Sequence, residues 1–164
     1  MNISNLKSLL TQLLTEKGIS PFWSENLALI LLLILFLFVG YVLFWITRKI
    51  ILNFFVQIAG KTKSHFDDFL IKNRVPKILS YLPVLFLFYE SIPKLFISFE
   101  MGLSSLIKNI LEALLIILII ALIRAALKTV NDFLKTVPSF KDKPLDSYLQ
   151  VFMIFLWFIG GILI

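Results

Sequence analysis

The residues best suited to chemistry stand in one polar segment, Lys61 to Asp68, which reads KTKSHFDD. Asp67 and Asp68 are adjacent carboxylates, and His65 is the only histidine in the sequence. Carboxylates beside an imidazole can bind a metal ion or act in general acid–base catalysis. Neighbouring residues of a helix point about 100° apart, however, and no partner for His65 stands at ligand spacing. We therefore expect a solvated loop histidine, with no metal and no catalytic residue.

The same segment has the pattern of a helix start. Ser64 can act as an N-cap, and Asp67 follows three residues later, as in a capping box. Asp68 precedes Lys72 by four residues, the order that favours an ion pair within a helix. Ser64, Asp67 and Asp68 are thus interpreted as a helix cap with an ion pair.

Signatures of other enzymes and of proton relays are missing from the sequence. It has no glycine-rich phosphate loop, no cysteine and no G-x-S-x-G motif. No Asp, Glu, Lys, Arg or His occurs within residues 27–46, 113–123 or 149–164, whereas proton-coupled transporters carry such a residue at membrane depth. The sequence predicts neither an enzyme nor a cofactor.

Four apolar segments predict an all-α membrane protein. Residues 27–46 are uncharged, and a helix of this length spans about 30 Å, the thickness of a bilayer's hydrocarbon core. Of the 164 residues, 59% are apolar and 16% are charged, whereas about 25% are charged in soluble domains. The predicted spans are about 26–47, 76–89, 103–123 and 147–164.

Proline and glycine predict the shape of the remaining helices. Residues 1–20 form an amphipathic helix that ends at Gly18 and lies flat at the membrane interface. Ser20 and Pro21 open the next helix, which is expected to run on through residues 50–59. Pro83 should kink the second span. Gly160 and Gly161 mark a packing site or a hinge in the fourth.

Basic residues are concentrated in the two predicted connections 48–77 and 124–146. These contain twelve of the sixteen basic residues, so the positive-inside rule places both connections in the cytoplasm and the N-terminus outside. Membrane lipids are expected partners, because basic residues beside a membrane can bind anionic headgroups. The candidate lipid-contact or tension-sensing residues are Arg48, Lys49, Lys61, Lys63, Lys72, Arg74, Lys77 and Pro83.

The net charge of +6 does not indicate nucleic-acid binding, because no basic run is interleaved with stacking aromatics in a soluble domain. The sequence stops inside an apolar run. A terminal carboxylate is costly in hydrocarbon, so we expect the N-terminal part of a longer protein.

Two polar segments resemble a known family. Residues 61–70, KTKSHFDDFL, with Arg74 and Val75 just beyond, resemble the first cytoplasmic loop of miniconductance mechanosensitive channels, a branch of the small-conductance mechanosensitive family. Residues 143–150, KPLDSYLQ, resemble the lead-in to that branch's penultimate membrane helix. Phe66 stands where the family pattern has Trp, and Asp146 stands where a basic or neutral residue is usual.

The resemblance implies the subunit of a tension-gated ion channel in the bacterial inner membrane, which releases ions and small solutes on hypo-osmotic shock. Residues 21–164 would be its transmembrane sensor region. A fifth, pore-lining helix and a cytoplasmic β and α/β vestibule would follow residue 164, so no pore-lining residue is present in this sequence. The family forms homo-oligomers, usually heptamers.

Two other classes stay open. A non-conducting membrane scaffold or partner subunit would need no pore helix. An intramembrane enzyme would need clustered polar groups at membrane depth.

Overall fold

The computed structural model describes residues 3–59, 66–96, 101–140 and 143–163, and over these residues all regular structure is helical. A short 3₁₀ helix, Pro138–Phe140, precedes the last α-helix. The α-helices are α1 (Ile3–Glu16), α2 (Pro21–Ala59), α3 (Phe66–Lys72), α4 (Val75–Leu79), α5 (Leu82–Phe96), α6 (Met101–Leu134) and α7 (Leu145–Leu163).

Four helical segments are long and apolar enough to cross a membrane, by length and composition. They are Pro21–Gln57, Val75–Phe96, Gly102–Leu134 and Leu145–Leu163. The prediction of an all-helical chain with four spans is confirmed at this level. The chain divides into two compact units. The first unit is Met1–Leu43 with Val84–Glu112, and the second unit is Phe44–Pro83 with Ala113–Ile164.

Gly18 ends α1, as its position in the sequence predicts. Its φ is +87°, in the left-handed region that suits glycine. The Ile19 N–H donates to the Leu14 carbonyl at 3.3 Å, and the Gly18 N–H donates to the Thr15 carbonyl at 3.0 Å. These two bonds form a Schellman motif. After this turn α2 begins at Pro21, in the first helical position, where the missing N–H costs nothing.

The two longest helices continue well past their apolar cores. At 1.5 Å per residue the 39 residues of α2 extend about 58 Å and the 34 residues of α6 about 51 Å. The expected continuation through residues 50–59 is confirmed. The described residues of the predicted connections 48–77 and 124–146 are therefore largely helical. Apolar residues alternate with polar ones at helical spacing there, so the helix can continue where the membrane core ends.

The second span differs from the single kinked helix predicted for residues 76–89. It consists of α4 and α5, separated by a turn at Ser80 and Tyr81, and α5 extends to Phe96. Pro83 is the second residue of α5 and therefore starts this helix rather than kinking it. Without an N–H, Pro83 cannot bond to the Leu79 carbonyl. The Tyr81 N–H donates instead to the Ile78 carbonyl, at 3.1 Å.

Among the described residues, each unit has a glycine where two helices approach closely. In the first unit a Cβ built on Gly40 of α2 would lie 2.6 Å from Cζ of Phe88 on α5. In the second unit a Cβ on Gly160 of α7 would overlap Cδ1 of Ile120 on α6. Small residues at such crossings are typical of helix packing in membranes, because they let the backbones come close together.

Candidate functional site

The candidate lipid-contact residues of α2 lie on an exposed face. Arg48 and Lys49 are both exposed and line a shallow groove of about 300 Å³ together with Trp45. The Lys49 ammonium lies 5.3 Å from the centroid of the Trp45 ring, within cation–π range. A tryptophan beside basic residues is typical of a membrane interface.

The polar segment of the sequence motif is only partly described. Lys61, Lys63, Ser64 and His65 lie outside the described residues, so the predicted cap and the role of His65 stay predictions. Asp67 is buried and Asp68 is exposed, both in the first turn of α3. Carboxylates there interact favourably with the positive end of the helix.

A buried polar cluster attaches the end of α3 to α6. The Asn73 side-chain amide donates to Oδ2 of Asp132 at 3.0 Å and to Oγ1 of Thr129 at 3.3 Å. Thr129 is fully buried, and its hydroxyl donates to the Ala125 carbonyl at 2.9 Å. Phe66 packs edge-on against Phe133, with ring centroids 5.4 Å apart. No pattern in the sequence predicts this cluster, because it joins residues more than fifty positions apart.

Replacing Asn73 with alanine should destabilise the protein by about 2 kcal/mol. The buried hydroxyl of Thr129 and the half-buried carboxylate of Asp132 would lose the amide that donates to them. Thermal unfolding in detergent micelles, followed by circular dichroism, measures the effect. The control is Asn53→Ala, which changes an exposed residue of α2 and should leave stability unchanged. Equal stability of Asn73→Ala and Asn53→Ala would show that the cluster does not hold α3 on α6.

Arg74 directs the chain from α3 into α4. Its φ of 62° lies in the left-handed region, which non-glycine residues adopt infrequently. Asn73 and Arg74 form the turn between the helices, and Val75 and Pro76 are then buried at the start of α4. Exposed Arg74 therefore stands at a defined position beside α6 rather than in a free loop.

Two basic grooves flank α6. The α4–α6 groove, of about 470 Å³, is lined by Lys72, Arg74, Arg124 and Lys128, among others. Lys77, on α4, is half-buried and does not line it. The neighbouring α6–α7 groove, of about 790 Å³, is also lined by Arg124 and Lys128, together with Lys135 and Asp146. The structure thus brings the predicted candidates Lys72 and Arg74 together with two basic residues that were not predicted as candidates.

A polar contact joins the end of α6 to the start of α7. The Lys135 ammonium lies 2.6 Å from Oδ2 of Asp146, and the Asn131 side-chain amide donates to Oδ1 of Asp146 at 2.7 Å. Asn131 is buried, whereas Lys135 and Asp146 are exposed. Asp146, the departure from the family pattern, therefore has a structural partner in this chain.

The candidate hinge residues Gly160 and Gly161 have different surroundings. Gly160 is buried against α6, whereas a Cβ on Gly161 would meet no atom within 4 Å. Both lie within the continuous helix α7. The contact at Gly160 supports packing, and a hinge at this pair stays a prediction.

The sequence carried a signal for the missed residues Arg124 and Lys128. Together with Asn131 and Lys135 they recur every three or four residues, as one face of a helix does. This spacing could have indicated that α6 continues beyond Ile123 with a polar face. No family model matches the chain, no curated protein matches it, and no solved structure matches it.

Proposed function

We propose that this chain is the membrane-sensing region of a tension-gated ion channel subunit. The observation that carries the proposal is the ordered pair of motifs, KTKSHFDDFL at 61–70 and KPLDSYLQ at 143–150, with two spans between them. Little of each span is covered within the chain: between 6% and 22% of the most apolar window is buried. Such helices need lipid or further subunits around them, as the peripheral helices of an oligomeric channel have.

The proposed mechanism is physical. Membrane tension favours the state that occupies the larger area in the bilayer plane, so it shifts a two-state equilibrium. A crossing built from two short helices, α4 and α5, can change tilt or length at their turn when the bilayer thins. The protein would convert this change into opening of a pore.

The remaining parts of the proposal follow the family resemblance and the charge distribution. The subunit would lie in the bacterial inner membrane with its N-terminus outside and the basic connections in the cytoplasm. It would assemble as a homo-oligomer, a heptamer by resemblance, surrounded by membrane lipids. Ions and small solutes would leave the cell through it on hypo-osmotic shock.

Patch-clamp recording of the complete protein, with whatever follows residue 164, tests the proposal. We expect currents that open with applied suction and are missing from patches without the protein. Silent patches that demonstrably contain the protein would refute channel activity and favour the non-conducting scaffold. The codons after residue 164 provide a separate test, since the channel requires a Gly/Ala-rich helix followed by strands.

Pro83→Ala should raise the tension needed for opening. An alanine N–H at this position can bond to the Leu79 carbonyl and join α4 and α5 into one stiffer helix. We expect the substitution to change the free-energy difference between the closed and open states by about 1 kcal/mol. This corresponds to roughly a fivefold change in the ratio of the two states at fixed tension. The recording is compared with that of Pro138→Ala, in the 3₁₀ helix, which should open like wild type. An unchanged threshold in Pro83→Ala would exclude this turn from the sensor.

A further inference from the structure

The α6–α7 groove changes from polar to apolar along its length. Its polar end contains the Lys135–Asp146 ion pair. Its other end is lined by three apolar side chains of α7, those of Met153, Ile154 and Trp157. Arg124 and Lys128 lie on α6 opposite these apolar side chains. We propose that the groove is a binding site for an anionic phospholipid, with Arg124 and Lys128 holding its phosphate.

The register of α6 and α7 defines this arrangement. Lys135 contacts Asp146 at one end of the pair, and Ile120 contacts Gly160 at the other. The helices therefore run antiparallel, and the residues between these contacts face each other in reverse order. Arg124 lies at the level of Trp157, and Lys128 lies one turn, about 6 Å, further toward the polar end.

The charges around the grooves favour an anionic ligand. Lys72, Arg74, Arg124, Lys128 and Lys135 line the two grooves, against two carboxylates, those of Asp132 and Asp146. Asp146 is already paired with Lys135 at 2.6 Å, and Asp132 accepts a hydrogen bond from Asn73. Within the described part of the chain, no carboxylate forms an ion pair with Arg124 or Lys128.

The depth of these two cations matches that of a lipid phosphate. Arg124 directly follows the uncharged residues 113–123, so it marks the boundary between hydrocarbon and headgroups. At this boundary long basic side chains reach the headgroup region, where anionic lipid attracts them. A guanidinium binds phosphate oxygens through two parallel hydrogen bonds, and Lys128 adds a second positive charge one turn away.

The apolar wall distinguishes a lipid from a free phosphate ion. Met153 and Ile154 provide apolar surface beside the glycerol backbone of a lipid, and Trp157, level with Arg124, has the amphipathic ring that prefers the membrane interface. A free anion would gain nothing from these side chains. The groove of about 790 Å³ is open rather than enclosed, so it can hold part of an elongated ligand.

Trp157 provides a direct reporter of the bound lipid. In the full chain carrying Trp23→Phe and Trp45→Phe, it is the only tryptophan. The protein is reconstituted in phosphatidylcholine vesicles that contain brominated phosphatidylglycerol or, in parallel, brominated phosphatidylcholine at the same mole fractions. We expect brominated phosphatidylglycerol to quench the fluorescence of Trp157 more strongly than brominated phosphatidylcholine does. The difference should correspond to an enrichment of phosphatidylglycerol at the groove on the order of tenfold.

Charge variants separate a defined site from general attraction to the membrane. Arg124→Gln with Lys128→Gln should abolish the preference for phosphatidylglycerol. Lys94→Gln with Lys143→Gln removes the same amount of charge outside both grooves. This control pair should retain the preference for phosphatidylglycerol. Exchanging the two residues, as Arg124→Lys with Lys128→Arg, should also retain it, because both cations remain.

Three results would overturn the proposal. The first is equal quenching by the two brominated lipids, which needs no charge variant and so does not depend on whether one folds. The second is an equal loss of preference in both glutamine pairs, which would indicate bulk charge. The third is loss of the preference on adding inorganic phosphate at constant ionic strength, which would indicate a soluble-anion site. None of these depends on channel currents, so the proposed channel function is tested separately.

Discussion

Gly40→Leu should destabilise the first unit by about 3 kcal/mol, the upper end of the usual cost of overpacking. A Cβ at this position alone would lie 2.6 Å from Cζ and 2.8 Å from Cε1 of Phe88, and 3.3 Å from Cγ1 of Val84. A leucine adds three more carbon atoms to a space that is already filled. Either the Phe88 ring must leave its position or α2 and α5 must separate.

The matched control is Gly102→Leu, in the first turn of α6, where a Cβ meets no atom within 4 Å. Both substitutions raise helix propensity, so the difference between them isolates packing. Stability is measured for the full chain by titration from mild detergent into SDS, followed by circular dichroism. Adding Phe88→Ala to Gly40→Leu should restore much of the loss, because the missing ring makes room for the leucine. Similar stabilities of Gly40→Leu and Gly102→Leu would contradict a close crossing here.

Gly160→Leu should be about 3 kcal/mol less stable than Gly161→Leu, for the same reason on α7. The Gly160 Cβ position already overlaps Cδ1 of Ile120, and Ile116 Cγ2 lies 3.7 Å away. Gly161 faces open space, where a leucine can contact lipid. The two variants add the same atoms to neighbouring residues of one helix, so composition, propensity and hydrophobicity are equal.

The same SDS titration compares this pair, and Gly160→Leu with Ile120→Ala is its size-exchange rescue. We expect the double variant to recover part of the stability, since the alanine removes the atoms that the leucine would overlap. If Gly161→Leu were the less stable of the pair, the packing face of α7 would be assigned wrongly. A pure hinge role predicts a different pattern, with both variants equally affected.

The membrane crossings could be predicted from the sequence because they depend on local properties. A helix in hydrocarbon satisfies its own backbone, so an uncharged run of sufficient length, such as residues 27–46, predicts a span without any knowledge of its neighbours. Gly18 and Pro21 likewise mark helix ends through their own backbone preferences. These features need no tertiary contact, and the structure agrees with them.

The faces of the helices and the grouping of polar residues depended on tertiary structure. In lipid, every apolar face is equally well solvated, so hydrophobicity does not indicate which face packs. Gly160 and Gly161 are identical in sequence terms, and only the position of Ile120 distinguishes them. Asn73 reaches Asp132, and Arg74 lines a groove with Arg124. These partners are brought together by the turns between helices, whose geometry the residue types alone leave open.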